Sequence, residues 1–125
     1  MYWSVIFAGI SGATTVAMGA YASHGGGGEI ARGWLATGAQ YGLWHSIALL
    51  AVAAIATRAQ PSRLLTASAV LFAAGIVLFS GTLFLRALTV LAWVAPITPL
   101  GGICFIAGWL LLAAWGAMRY LDGAD

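Results

Sequence analysis

The 125 residues include only five arginines and three acids as formal charges, while 62 % are hydrophobic and the mean hydropathy is +0.99. A soluble domain is about one quarter charged, so this composition excludes one. The net charge of +2 and sequence pI near 9.1 come from scattered arginines with no lysine and no basic cluster, which excludes nucleic acid as a partner. An α-helix needs roughly 20 apolar residues to cross a hydrocarbon core about 30 Å thick, and the charges divide the chain into four such runs. The fold class is all-α: a polytopic membrane protein, a four-transmembrane-helix bundle forming a single domain over residues 1–125.

The first span runs from about Trp3 to Ala22. Its Ala20-Tyr21-Ala22 ending resembles a signal-peptidase site, but no arginine or lysine precedes it and its apolar stretch exceeds a signal core, so it reads as a retained helix. The connection Ser23–Gly33 opens with His24 and four glycines, Gly25 to Gly28, which cannot sustain a helix. The second span covers about Trp34 to Thr57. A tight turn bracketed by Arg58 and Arg63 follows, with Ser62 positioned to cap the third span, about Leu64 to Leu85. Spans two and three are therefore antiparallel neighbours. The stretch Arg86 to Pro96 is also apolar, yet joining it to the third span would make a helix of about 48 Å, too long for a bilayer. It is expected along the interface, with Arg86 snorkelling and Trp93 at headgroup depth. Thr98 and Pro99 read as N-cap and first residue of the fourth span, which continues to about Met118.

Four spans put both termini on one face, together with Arg58, Arg63 and Arg119; Arg32 and Arg86 lie on the other, the former offset by Glu29. The positive-inside rule places both termini in the cytoplasm of a cell inner membrane. Trp3, Trp34, Trp93 and Trp115 near span ends fit an aromatic belt. Small residues recur at four- and seven-residue spacing: Gly9, Ala13 and Ala17; Gly38, Gly42 and Ser46; Ala67, Ala74 and Gly81; Gly101 and Gly108. In lipid, burying leucine gains nothing over leaving it among acyl chains, so helices associate where backbones approach at such residues. Cys104 sits in the last apolar run without an intrachain partner and reads as a small buried hydrophobe.

Gly19-Ala20-Tyr21-Ala22-Ser23-His24-Gly25, Gln40-Tyr41 with His45-Ser46-Ile47-Ala48-Leu49-Leu50, Leu78-Phe79-Ser80-Gly81-Thr82-Leu83, and Ile97-Thr98-Pro99-Leu100-Gly101-Gly102 with Gly108-Trp109 follow one another in a recognisable order. In them the chain resembles a family of small four-helix inner-membrane proteins, domain of unknown function four-two-three, which includes bacterial YgdD and YwdK and has mitochondrial relatives. The resemblance covers essentially the whole chain. It implies a four-helix membrane fold and brings no established activity, substrate or cofactor. Family members often carry Tyr-His-x-x-His in the second span; here the first of those histidines is Gly42.

Imidazole can bind haem iron, copper or zinc, but His24 lies just beyond the first span whereas His45 is roughly 16 Å along the second, near mid-membrane. The two do not match in depth and no cysteine–carboxylate set completes a site, so no metal and no cofactor is expected. Gln40, Tyr41, Trp44 and His45 share a helical face, as do Ser11, Thr14 and Thr15; both faces are expected to turn inward and bond across helices. His24, Gln40, Tyr41 and His45 are the candidate functional polar residues, because an intramembrane ionisable group is a functional candidate by default. The glycine run lacks the lysine and hydroxyl residue of a phosphate loop, and no Ser-His-Asp set can form, so no enzyme is expected. Two classes remain: a structural or accessory subunit docking on other membrane-protein subunits or on copies of itself, and a small transporter or channel with a polar path along the first two spans. The absence of a mid-span carboxylate or arginine favours the first.

Overall fold

The computed structural model describes residues 1–89 and 91–123. Helix α1 (Tyr2–Ser23) is followed by α2 (Glu29–Ala56) and α3 (Arg63–Gly75), which passes through a π-helical segment (Ile76–Gly81) into α4 (Thr82–Leu88). A 3-10 helix (Ala92–Ile97) then leads directly into α5 (Thr98–Leu121). Among the described residues there is no strand, and four helical stretches are long and apolar enough to cross a membrane: Tyr2–Ser23, Glu29–Ala56, Arg63–Leu88 and Ala92–Leu121. The chain is an integral membrane protein of four spanning helices.

Several boundaries differ from the expectation. Helix α2 begins at Glu29, well before Trp34, because the turn consumes only the first glycines. Gly25 and Gly27 adopt φ of 83° and 76°, left-handed values that a side chain would strain, and the Gly26 N–H returns to the Tyr21 carbonyl at 2.9 Å. Gly28 is already extended at the N-cap, and Glu29 sets its carboxylate against the positive end of the helix. Ser62 occupies the N-cap of α3 without a side-chain cap; only its carbonyl takes part, accepting from the Thr66 N–H and hydroxyl at 3.1 Å each. Thr98 is not an N-cap. The preceding 3-10 helix leaves no free end there, so Thr98 is itself helical (φ −51°, ψ −47°) and its hydroxyl bonds across to Thr82 at 2.7 Å. The expected interfacial connection shortens accordingly: Arg86 to Leu88 remain helical, and Ala92 onward is the entry to α5. Val90 lies outside the described residues.

The third span lies against both α2 and α5, whereas α1 packs chiefly on α2. Leu49, Val52, Leu65, Ala69, Phe72, Ile76 and Phe105 form the centre, with Ala8 reaching it from α1. Since apolar burial gives little net gain in lipid, close approach matters more. A Cβ at Gly38 would meet the Phe84 ring at 2.8 Å, and one at Gly108 the Phe72 ring at 2.7 Å. At Gly101 it would run into the backbone of Leu78 and Phe79, inside the π-helical segment. Gly75, outside the expected small-residue face, is the third span's counterpart: a Cβ there would strike the Phe105 ring and come within 3.1 Å of the Gly101 carbonyl. Ala67, Ala74 and Gly81 are only half-buried, and Gly81 has nothing nearer than its own turn's Ile76 carbonyl at 3.9 Å. Gly9, Ala13 and Ala17 are exposed, with open space around Gly9; α1 meets α2 through Ser4, Ala8, Ser11 and Thr15 instead.

Candidate functional site

Helix α2 presents one buried stripe, Leu35, Gly38, Ala39, Gly42, His45, Ser46 and Leu49. His45 sits on its edge and is 5 % exposed. Its ring lies parallel to Phe105 of α5, with centroids 3.5 Å apart and 10° between planes, and Phe72 of α3 closes another side at 5.6 Å. The Trp109 indole N–H donates to His45 Nε2 at 3.1 Å. An indole nitrogen can only donate, so Nε2 must be the unprotonated nitrogen. The proton of the neutral ring therefore sits on Nδ1, which donates to the Tyr41 carbonyl at 2.7 Å. That carbonyl, besides its helical partner, has a second lone pair to offer. Both imidazole nitrogens are thus engaged, and a metal could reach His45 only by displacing Trp109.

The other members of the expected inward face do not follow His45. Gln40 is exposed, Tyr41 is 39 % and Trp44 51 % exposed. The inward direction of α2 is set by its small residues, Gly38 and Gly42, and positions 40 and 44 lie about 100° around the helix from 41 and 45. Tyr41 forms a lateral aromatic cover instead, 5.4 Å from Trp44 and 5.0 Å from Phe79. His24 is exposed at the C-terminus of α1, where its backbone N–H bonds the Ala20 carbonyl at 3.0 Å; it takes no part in the His45 cluster. Residue chemistry alone does not single out Trp109 and Phe105, which complete that cluster. The available signal was Gly108-Trp109, since the glycine lets Phe72 approach and the next residue turns toward α2.

Hydroxyl groups join the remaining contacts. Ser11 and Ser46 meet at 2.7 Å between α1 and α2; each hydroxyl also lies within donating distance of a carbonyl of its own helix, Ser11 of Ala8 at 3.2 Å and Ser46 of Gly42 at 2.8 Å, so whichever donates across the pair gives up its own carbonyl. Ser68 of α3 donates to the Gly108 carbonyl of α5 at 2.9 Å. Thr15 and Thr14 bond their own helix, to Gly12 and Ile10 carbonyls. Ser80 stands apart: it is fully buried, and its hydroxyl is the one buried side-chain polar atom among the described residues with no partner. It faces Gly42, where a Cβ would lie 2.9 Å from the Ser80 oxygen and 2.5 Å from the Thr15 methyl. The histidine that the resemblance expects at this position could not fit at the present helix spacing.

Residues that carried the resemblance are thus the ones that meet: His45 with Trp109, Thr82 with Thr98, and Gly101 with the Leu78–Phe79 backbone. A family profile described as "protein of unknown function (DUF423)" matches residues 18–102. The chain belongs to this family. Over 118 residues it is 42 % identical to the UPF0382 inner membrane protein YgdD of Escherichia coli, covering 92 % of this chain and 88 % of that one. To the UPF0382 membrane protein YwdK of Bacillus subtilis it is 36 % identical over 120 residues, 94 % and 97 % of the two chains. A UPF0382 membrane protein of Haemophilus influenzae is 41 % identical over 107 residues, 83 % and 85 % of the two. No solved structure matches. With such relatives and four spanning helices, this DUF423 chain is a multi-pass protein of the inner membrane.

Proposed function

We propose that this protein is a non-enzymatic structural or accessory subunit that docks, through α1, on a larger inner-membrane assembly or on a second copy of itself. The outward position of Gly9, Ala13 and Ala17 carries this reading. They form a small-residue stripe that no helix of the chain covers, on a helix that packs chiefly on α2 alone, and close backbone approach is what drives helix association in lipid. The engagement of both His45 nitrogens also favours a packing role over acid–base or ligand chemistry.

The test is crosslinking in native membranes through Ala13→Cys in a Cys104→Ala background. A crosslinked species of defined mass should form, and Gly9→Leu should diminish it severalfold while leaving the thermal stability of the purified chain unchanged. An unaltered crosslink in Gly9→Leu would overturn docking through this stripe. A transporter or channel is the second reading, supported by Ser80 and by the hydroxyl residues Ser11, Thr14 and Thr15 along the groove between α1 and the third span. It requires solute flux in liposomes that is lost on Thr14 or Ser80 substitution in a folded monomer.

The arginine distribution supports cytoplasmic termini. Ser62→Cys should then be shielded, and Glu29→Cys labelled, by an impermeant thiol reagent added to cells whose inner membrane is accessible. The reverse pattern would invert the orientation.

A further inference from the structure

At the end of the bundle bearing Arg32 and Glu29, α2 and α4 hold an arginine in an unusual setting. The Arg86 guanidinium carbon lies 4.0 Å from the centroid of the Trp34 ring, so the indole face is covered by the cation. Both side chains are half-buried, and with Thr89, Leu91 and Ala92 they line a cavity of about 220 Å³. The ring restrains the guanidinium on one side, and none of the hydrogen bonds among the described residues uses its N–H groups. Thr89 spends its hydroxyl hydrogen on the Leu85 carbonyl and accepts the Leu91 N–H, so the side-chain donors left open on the lining residues are the Arg86 guanidinium and the Trp34 indole N–H. Among the described residues no carboxylate lines the cavity.

We propose that Arg86 and Trp34 form a site for the phosphodiester of an anionic glycerophospholipid. Guanidinium N–H donors near the end of the third span suit phosphate oxygens, and the apolar walls suit the glycerol and acyl region that follows. The sign of the lipid follows from what the cavity lacks. A zwitterionic headgroup brings an ammonium that would find no carboxylate, and the aromatic face that could receive a quaternary amine is occupied by Arg86. This inference is independent of what docks on α1.

The test is native mass spectrometry of the full chain, released from detergent with equimolar phosphatidylglycerol and phosphatidylcholine of identical acyl chains. The wild type should retain one phosphatidylglycerol in preference. Arg86→Gln should reduce the retention ratio by about fivefold, the contribution of one arginine at an anionic surface. Arg32→Gln, at the same end but outside the cavity, should leave the ratio unchanged. Thr89→Asp alters an exposed residue and places a carboxylate beside Arg86, so it should abolish the preference even if Arg86→Gln fails to fold. Equal retention of the two lipids by the wild type, or an undiminished ratio in Thr89→Asp, would overturn the site. So would an equal loss in Arg32→Gln, which would mark diffuse surface attraction, or displacement of the lipid by millimolar inorganic phosphate, which would mark a free-anion site.

Discussion

Gly101→Leu is expected to prevent α5 from seating on the third span and to abolish the folded bundle. The Cβ alone would collide with the backbone of Leu78 and Phe79, and no rotamer change relieves a backbone clash. Overpacking of a well-filled contact costs about 1–3 kcal/mol when side chains can yield; here the obstacle cannot, so the loss should reach roughly the upper end of that range or beyond it. The displacement would also part Thr98 from Thr82 and draw Gly75 away from Phe105, since all three contacts belong to one crossing. Unfolding in mixed micelles, followed by helicity, should show a large drop in midpoint or no cooperative transition. Gly9→Leu is the control: its surroundings are open, and its effect on the same curve should stay within about 0.5 kcal/mol. Equal behaviour of the two variants would mean that the Gly101 crossing is not what holds α5.

That crossing also shows what a sequence of this kind makes legible. The four spans are readable because Glu29, Arg32, Arg58, Arg63 and Arg86 cannot sit unpaired in hydrocarbon, so the charges mark the boundaries whatever the helices do between them. Gly38, Gly42, Gly101 and Gly108 stand out in the sequence by spacing, and each lies against another helix. Direction is harder to read. In water an apolar stripe identifies the inward face, but here Ile6, Ile10, Ile47, Val77 and Ile103 are as apolar as the core and face outward. Spacing alone therefore could not tell that Gly9 and Ala13 point away from α2, or that Gln40, Tyr41 and Trp44 do not accompany His45. The π-helical segment was likewise invisible, since Ile76 to Gly81 is as apolar and helix-compatible as its flanks. Its signal is the partner helix: Gly101 admits the widened turn, and Gly101 lies in another span.

His45→Ala is expected to destabilise the bundle by about 2–4 kcal/mol, because three interactions end together. The Trp109 N–H and the second lone pair of the Tyr41 carbonyl lose their partners, at about 0.6–2 kcal/mol for each membrane hydrogen bond. The parallel stack on Phe105 adds about 0.5–1.5 kcal/mol. His45→Phe separates these contributions, for it keeps a ring against Phe105 and removes only the two hydrogen bonds, so it should recover the stacking share. Trp109→Phe removes one of those bonds from the other side. In a double-mutant cycle of His45→Phe with Trp109→Phe, the coupling should be about 1 kcal/mol, the size of one interhelical hydrogen bond in lipid. Coupling near zero would show that the two side chains merely lie side by side. Because His45 accepts from an indole that can only donate, glutamine at 45 offers a sharper discrimination: its carbonyl can take the Trp109 hydrogen while its amide reaches Tyr41. His45→Gln should therefore be less damaging than His45→Phe in unfolding midpoint, despite its loss of the aromatic stack, if the hydrogen bonds rather than the ring are what join α2 to α5.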